Sequence, residues 1–340
     1  MKIIIGNLKF KIEVVFLILI ILGLSMYLLL ANIGNKVVWK IEPPQAPITY
    51  TSILDGQMVS SSEQVNPQVV AVMVDNHPDA RPQSGLLSAK IVYEAPAEGG
   101  ITRYFAIFDA SQKVDKVGPV RSARPYFLDW SQEYSGLYMH CGGSPDALDK
   151  IKKEQVFDLN EMYNSAYFWR DNSRFAPHNL FTSSELWNKF LSTKKSANQF
   201  LDGWKFGSLV VANLESVKNI FIEYSPNYSV GWQYIADSQK YQRLINDKKQ
   251  QEEGVDLLGD SVIIQYVKTQ VLDDYGRLGI ATNGQGDMRL LRDGLMQRGV
   301  WKKISGRTRF YDLSGQELVL KPGKTLIQIV PKDINTKIST

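Results

Sequence analysis

The feature that most constrains this chain is the run Val14–Ala31 (VVFLILIILGLSMYLLLA), eighteen residues without a charge. At about 1.5 Å per residue, a helix of that length crosses most of the hydrocarbon core of a bilayer. It is also longer than the usual apolar stretch of a cleaved signal, and Leu29-Leu30-Ala31 makes a poor small-residue cleavage box, which favours an uncleaved anchor. Lys2, Lys9 and Lys11 precede the run closely, whereas Lys36 and Lys40 follow at greater distance. That bias predicts an inside N-terminus and a C-terminal bulk outside, held at the cell membrane by a single pass. Lipid attachment would need a cysteine just after the run, and the sole cysteine, Cys141, lies far downstream.

The rest of the 340 residues is too long for one comfortable core, so two domains and accessory segments are expected. A single cysteine excludes an intramolecular disulfide framework and any cysteine-clustered metal site. Outside the membrane tip the charges balance at 36 basic and 34 acidic residues, which excludes a dedicated nucleic-acid binder and strong adsorption to a membrane surface.

Along the chain, residues 1–35 read as cytoplasmic tip and anchor. Residues 36–67 (from KVVWK through EQVNP) mix prolines and serines without periodicity and read as a stalk. Residues 68–197 read as an α/β domain. Val69–Val74, Ile91–Tyr93, Tyr104–Phe108 and Gly136–His140 are short apolar strands, and Tyr126–Tyr134 and Pro145–Lys153 have helical spacing. Ser144 is placed to cap the second helix, with Pro145 at its first position. After a polar, glycine-punctuated boundary near residue 200, residues 208–334 read as a smaller, mainly-β (α+β) domain. Its strands are expected at Ile220–Tyr224, Ser229–Tyr234, Tyr241–Leu244, Ser261–Val267, Trp301–Ile304, Thr308–Tyr311 and Thr325–Val330.

All three histidines, His77, His140 and His178, fall in the first of these domains, in contexts dense with charge. Asn76 and Arg81 follow directly on the first strand, and the carboxyl ends of strands are where open α/β sheets gather ligands. A proline-restrained loop with local backbone bonds gives the same string. Glu94 and Glu98 flank a loop ending in Gly99-Gly100-Ile101-Thr102-Arg103, and two carboxylates so placed suit acid–base work or pairing with arginines. Arg121 and Arg124 around Ser122 make a forked clamp for a carboxylate or phosphate, or a structural ion-pair network. His140-Cys141-Gly142-Gly143-Ser144 opens a helix, where amide N–H groups favour an anion, although capping is the commoner task for Ser144. Arg170 and His178 lie in a fifth string, WRDNSRFAPHNL. The candidates for catalysis are therefore His140, His178, Glu94 and Glu98. Those for ligand binding are Asn76, Arg81, Arg103, Arg121, Arg124, Ser144 and Arg170. The three histidines with Asp75 or Glu98 would suffice chemically for a metal, a minority reading, but no spacing such as His-x-x-x-His supports it, so no metal is assigned, and no cofactor is expected.

The strings VMVDNHPDARPQSGL, VYEAPAEGGITRYFAIF, VGPVRSARPYFLDW, HCGGSPDAL and FWRDNSRFAPHNLFTS, followed by DGLMQRGVWKK and LVLKPGKTLIQIVP, resemble the YerB-like lipoprotein family of bacteria. The similarity runs from about Val69 to Pro331. It implies two successive domains of unknown function and an envelope location, and it brings no reaction with it. Two departures stand out. Family members are lipid-anchored, whereas this chain relies on its helix; and the family pattern has a small residue at Cys141, which counts against a catalytic thiol. The expected function is recognition, with processing a further option, of an anionic envelope ligand such as a wall fragment. The competing class is a non-catalytic scaffold that docks onto an envelope protein.

Overall fold

The computed structural model describes residues 2–34, 49–194, 201–209, 214–304 and 306–339. They divide into two units, Met1–Ile48 and Thr49–Thr340. The first contains α1 (Lys2–Gly34). Within it Phe10–Asn32, 23 residues, is long and apolar enough to cross a membrane and exposes its apolar side chains on every face. A helix with no polar stripe has no side to turn to water, which fits membrane association.

The second unit is mostly β. In chain order its principal elements are β1 (Val69–Asp75), β2 (Ile91–Pro96), β3 (Thr102–Asp109), α2 (Pro125–Ser131), β4 (Leu137–His140), α3 (Pro145–Glu154), β5 (Asp158–Asn160) and α4 (Ser184–Leu191). They continue with β6 (Glu215–Ser216), β7 (Asn219–Ser225), β8 (Tyr228–Ile235), β9 (Lys240–Ile245), β10 (Lys248–Lys249), β11 (Leu258–Gly259) and β12 (Ser261–Val267). The last are β13 (Gly284–Arg292), β14 (Leu295–Ile304), β15 (Arg307–Asp312), β16 (Thr325–Pro331) and β17 (Thr336–Ser339). Eleven strands make one sheet in the order β6-β14-β13-β12-β16-β2-β3-β1-β4-β5, with β15 also on β14. A second, six-stranded sheet runs β10-β9-β8-β7-β17, with β11 on β9.

The large sheet continues across the boundary near residue 200. Strand β16 pairs in parallel with β12 on one side and with β2 on the other, in a register that sets Gln328 beside Glu94. Both faces of β1 are buried, which is why it reads as an unbroken apolar run rather than an alternating one. Val70, Val72 and Val74 pack with Ile220, Ile222, Val230 and Trp232 of the second sheet. Val69, Ala71 and Met73 pack with Phe127 and Trp130 of α2 and Ala147 of α3.

Most expected strands are present with close bounds, and β12 has the expected bounds. Three readings need correcting. Residues 49–67 are folded onto the body rather than forming a stalk: Tyr50–Thr51 pairs with Met58–Val59, Leu54 is buried, and the buried Asp55 carboxylate lies 2.8 Å from Lys90 Nζ. Two-residue strands and a buried aspartate leave no periodicity to read. The other two are omissions. Helix α4 is capped by Ser183, whose Oγ accepts from the Leu186 N–H at 3.4 Å. Strand β13 joins β14 through Asp293-Gly294, both at positive φ, the turn that closes two-residue hairpins. The remainder of the expected stalk, 36–48, and the centre of the expected boundary, 195–200, lie outside the described residues.

Candidate functional site

The carboxyl ends of β1 and β2 lie beside the amino end of β3, which runs antiparallel to both, and most of the candidate residues gather there. Glu94, near the end of β2, is buried. One of its oxygens pairs with Arg243 of β9, and the other accepts from Tyr228 of β8 and from Thr102 Oγ1 at 2.5 Å. Asn76 donates to Thr102 Oγ1 at 2.7 Å and to the Tyr228 hydroxyl at 2.6 Å, and it accepts from Arg81 Nε at 3.2 Å and Gln83 Nε2 at 3.0 Å. Gln250 closes the ring: it accepts from Arg243 and donates to Gln83 Oε1 at 3.1 Å.

Burial, aided by the Glu94 charge, pushes the Tyr228 hydroxyl up to about 12, so it stays a donor. Burial opposes the Arg243 charge, but the Glu94 carboxylate outweighs it and holds the guanidinium above its ordinary value. This network joins strands from the two sheets and from both halves of the chain. Apart from the buried Arg243 Nε, which has no hydrogen-bond partner, its members are engaged by one another, which suits a structural lock rather than an acid–base pair waiting for substrate.

Asp75, the last residue of β1 and fully buried, organises the neighbouring loop. Its Oδ2 lies 2.7 Å from His178 Nδ1 and 3.0 Å from Arg121 Nε, and its Oδ1 accepts the His77 N–H at 3.0 Å. The His77 and His178 rings stack at 4.6 Å between centroids. Arg121 therefore takes Asp75 as its carboxylate, while Arg124 takes Glu98. The Arg124–Glu98 pair is bidentate, at 2.5 and 2.8 Å. Burial raises the Glu98 carboxyl, but Arg124 more than offsets this and leaves it below its usual range. Arg103 donates to the Ser122 carbonyl at 2.8 Å, and burial with the like charge of Arg124 lowers its pKa.

The remaining candidates stand apart from this centre. His140 is fully buried between the Gly142 carbonyl, 2.7 Å from Nδ1, and Asp158 Oδ2, 3.0 Å from Nε2. Ser144 caps α3, accepting from the Ala147 N–H. Arg170 reaches Asn179 Oδ1 at 2.9 Å and Glu161 at 3.5 Å. Cys141 donates to Glu161, and burial together with that carboxylate pushes its thiol up to about 11, away from thiolate chemistry.

The candidate residues thus fall into several hydrogen-bonded groups, with His140, Ser144 and Arg170 apart from the rest. Arg81 also borders open space. A cavity of about 330 Å3 lies between its loop and the second sheet, lined by Arg81, Pro82, Gln83, Ile245, Lys248, Lys249, Gln250 and Gln251. The lining carries three cations and no carboxylate. Sequence reading missed the contribution of the second half: Tyr228, Arg243, Lys248, Lys249 and Gln250. One signal for Arg243 was available, an arginine inside a strand of buried residues, Tyr241–Leu244.

With this geometry in place, the fold and its two successive segments define a mostly β domain pair. Residues 54–198 match the N-terminal domain, and residues 220–327 the C-terminal domain, of a protein family of unknown function, DUF3048. The chain is 34% identical over 269 residues to the Bacillus subtilis (strain 168) protein named "Putative lipoprotein YerB", covering 77% of this chain and 81% of that one. A crystal structure of YerB from Bacillus subtilis superposes with a TM-score of 0.77 at 32% identity, over 85% of this chain and 99% of that one. The chain belongs to the YerB-like, DUF3048 family.

Proposed function

We propose that the protein is a single-pass membrane protein with its bulk outside the cytoplasm, and that it recognises an anionic envelope ligand, such as a wall fragment, in the groove between Arg81 and Lys248–Lys249. The groove lining carries this reading: Arg81, Lys248 and Lys249 border one cavity with no carboxylate in its lining, although Lys249 also pairs with Asp256 at 3.1 Å just outside it. Arg81 is fixed in place by two bonds to Asn76, so its guanidinium is preorganised for an incoming anion. Recognition is favoured over processing because His140, His178, Glu94 and Glu98 are each engaged by a protein partner, in separate groups. The lipoprotein name of the relative and the apolar helix support the envelope setting.

The test uses the full-length chain in detergent, titrated with a soluble anionic wall fragment. Lys248→Ala combined with Lys249→Ala is expected to weaken binding roughly tenfold or more, and raised salt to weaken it further. The exposed, remote Lys113→Ala serves as control. Equal affinity in the double variant and the wild type would remove the groove from consideration. A second reading rests on Met162, Tyr163 and Phe175, which are 65%, 84% and 91% exposed. Exposed aromatics of this kind suit docking onto another envelope protein. Crosslinking to a protein that is lost in Tyr163→Ser and Phe175→Ser, without wall-fragment binding by the wild type, would favour it.

A further inference from the structure

We propose that His77, Asp79 and His178 form a binding site for a divalent transition cation of the zinc class. Nothing in the groove reading requires it, and the site stands on its own observations. One ring nitrogen from each histidine and a carboxylate oxygen of Asp79 lie within 4.8 Å of one another. His77 Nδ1 and Asp79 Oδ2 are 3.6 Å apart, close to the ligand–ligand spacing of a tetrahedral centre with bonds of roughly 2.0–2.2 Å; Nδ1 accepts the Asp79 N–H at 3.2 Å, a bond that ligation through Nδ1 exchanges for the metal. Asp79 sits on an exposed turn, with a side chain 76% accessible, so it is free to close the remaining gap.

The second observation is Asp75. Its buried carboxylate lies 2.7 Å from His178 Nδ1. A carboxylate accepts, so the proton resides on Nδ1 and the Nε2 lone pair is left to a metal. The same residue fixes the other histidine, since its Oδ1 accepts the His77 N–H. A carboxylate behind a ligating imidazole is the usual outer support of a metal-binding histidine. The two rings stack at 4.6 Å, with 15° between their planes; because each lone pair lies in its ring plane, joint ligation requires His77, the more accessible ring, to tilt out of the stack.

The donor set identifies the cation. Two imidazoles and one carboxylate, without thiolate, suit zinc, nickel, cobalt or copper and disfavour magnesium and calcium, which want oxygen ligands. Three protein ligands leave a coordination position for water or a ligand oxygen. The three residues come from two segments a hundred positions apart, which is why no short spacing in the sequence reveals them.

The experiment is titration of the metal-stripped full-length chain, in detergent and without an affinity tag, with Zn2+, alongside Co2+ as a visible-absorption reporter. One equivalent is expected to bind, with cobalt d–d bands and no competition from excess Mg2+ or Ca2+. His77→Ala and Asp79→Ala alter exposed side chains and should weaken binding by at least roughly tenfold, and Asp75→Asn by roughly 10- to 100-fold. His178→Gln should abolish the cobalt spectrum. If His178→Gln or Asp75→Asn fails to fold, His77→Ala combined with Asp79→Ala decides the matter. Absence of stoichiometric Zn2+ binding by the wild type, or unchanged binding in that double variant, overturns the proposal.

Discussion

Two regions of this molecule use the same residue types to opposite ends. At the junction of the two sheets, Glu94, Arg243, Tyr228 and Thr102 are buried and hydrogen-bonded to one another. A few residues away, His77, Asp79 and Arg81 hang from a single buried anchor, the Asp75-Asn76 pair, and turn their other atoms outward. The chemistry of arginine, glutamate and histidine does not separate a lock from a ligand site. What differs between the two regions is burial, with Glu94 and Arg243 almost fully enclosed and Asp79 exposed, and that is a property of the assembled fold.

The strongest way to break this comparison is to open the lock. Glu94→Ala strands the Arg243 guanidinium in the interior and is expected to cost on the order of 3–5 kcal/mol. Because the network spans both halves of the chain, calorimetry should show them melting together in one transition. Separate melting of the halves would show that Glu94 does not couple them.

Arg121 sharpens the boundary between the regions. Its partner Asp75 is buried but also holds His178 and the His77 amide. Arg121→Ala should therefore cost less, about 1–3 kcal/mol by denaturant titration. A loss as large as that of Glu94→Ala would place Arg121 in the lock.

A third test concerns Lys324, which sits just before β16 and donates to the carbonyls of Leu86 and Leu87 at 2.6 Å. Burial lowers its pKa to about 7. Between there and the ordinary value near 10.4 the unfolded chain binds more protons than the folded one, so this group makes stability rise with pH across that window. The slope contributed is at most about 1.4 kcal/mol per pH unit, and Lys324→Met should flatten the curve by that amount. Identical curves for the two proteins would mean that the ammonium is not desolvated. The smallest effect belongs to the open side: Lys248→Ala, on an exposed strand, should change stability by no more than about 0.5 kcal/mol.

Local patterning made much of the fold legible. Val69–Asp75 and Ser261–Val267 announce themselves as apolar runs, and Ser144-Pro145 announces a helix start. Strand β13 escaped because Gly-Gln-Gly-Asp lacks β-formers, although Asp293-Gly294 marks its far end. The candidate site was legible as a neighbourhood: Asn76, Glu94, Arg103 and Arg121 do meet at one sheet edge. Their partners were not, because Arg243 approaches Glu94 from 149 positions away and no short string records that pairing. Arg121 and Arg124, read as a single clamp, take different carboxylates because Asp75 and Glu98 sit on different strands' ends.

Strand β16 lies between β12 and β2, near the middle of the sheet, and follows every other strand of that sheet in the sequence. A chain delivered from its N-terminus presents β2 and β12 long before that strand arrives, each with an unpaired edge in the interval. The sheet can close only when the last stretch has been delivered, so the waiting intermediate is where aggregation or proteolysis competes with folding. Premature termination anywhere upstream of Thr325 therefore removes more than a tail: it leaves the N-terminal and C-terminal parts without the strand through which their backbones hydrogen-bond in the sheet.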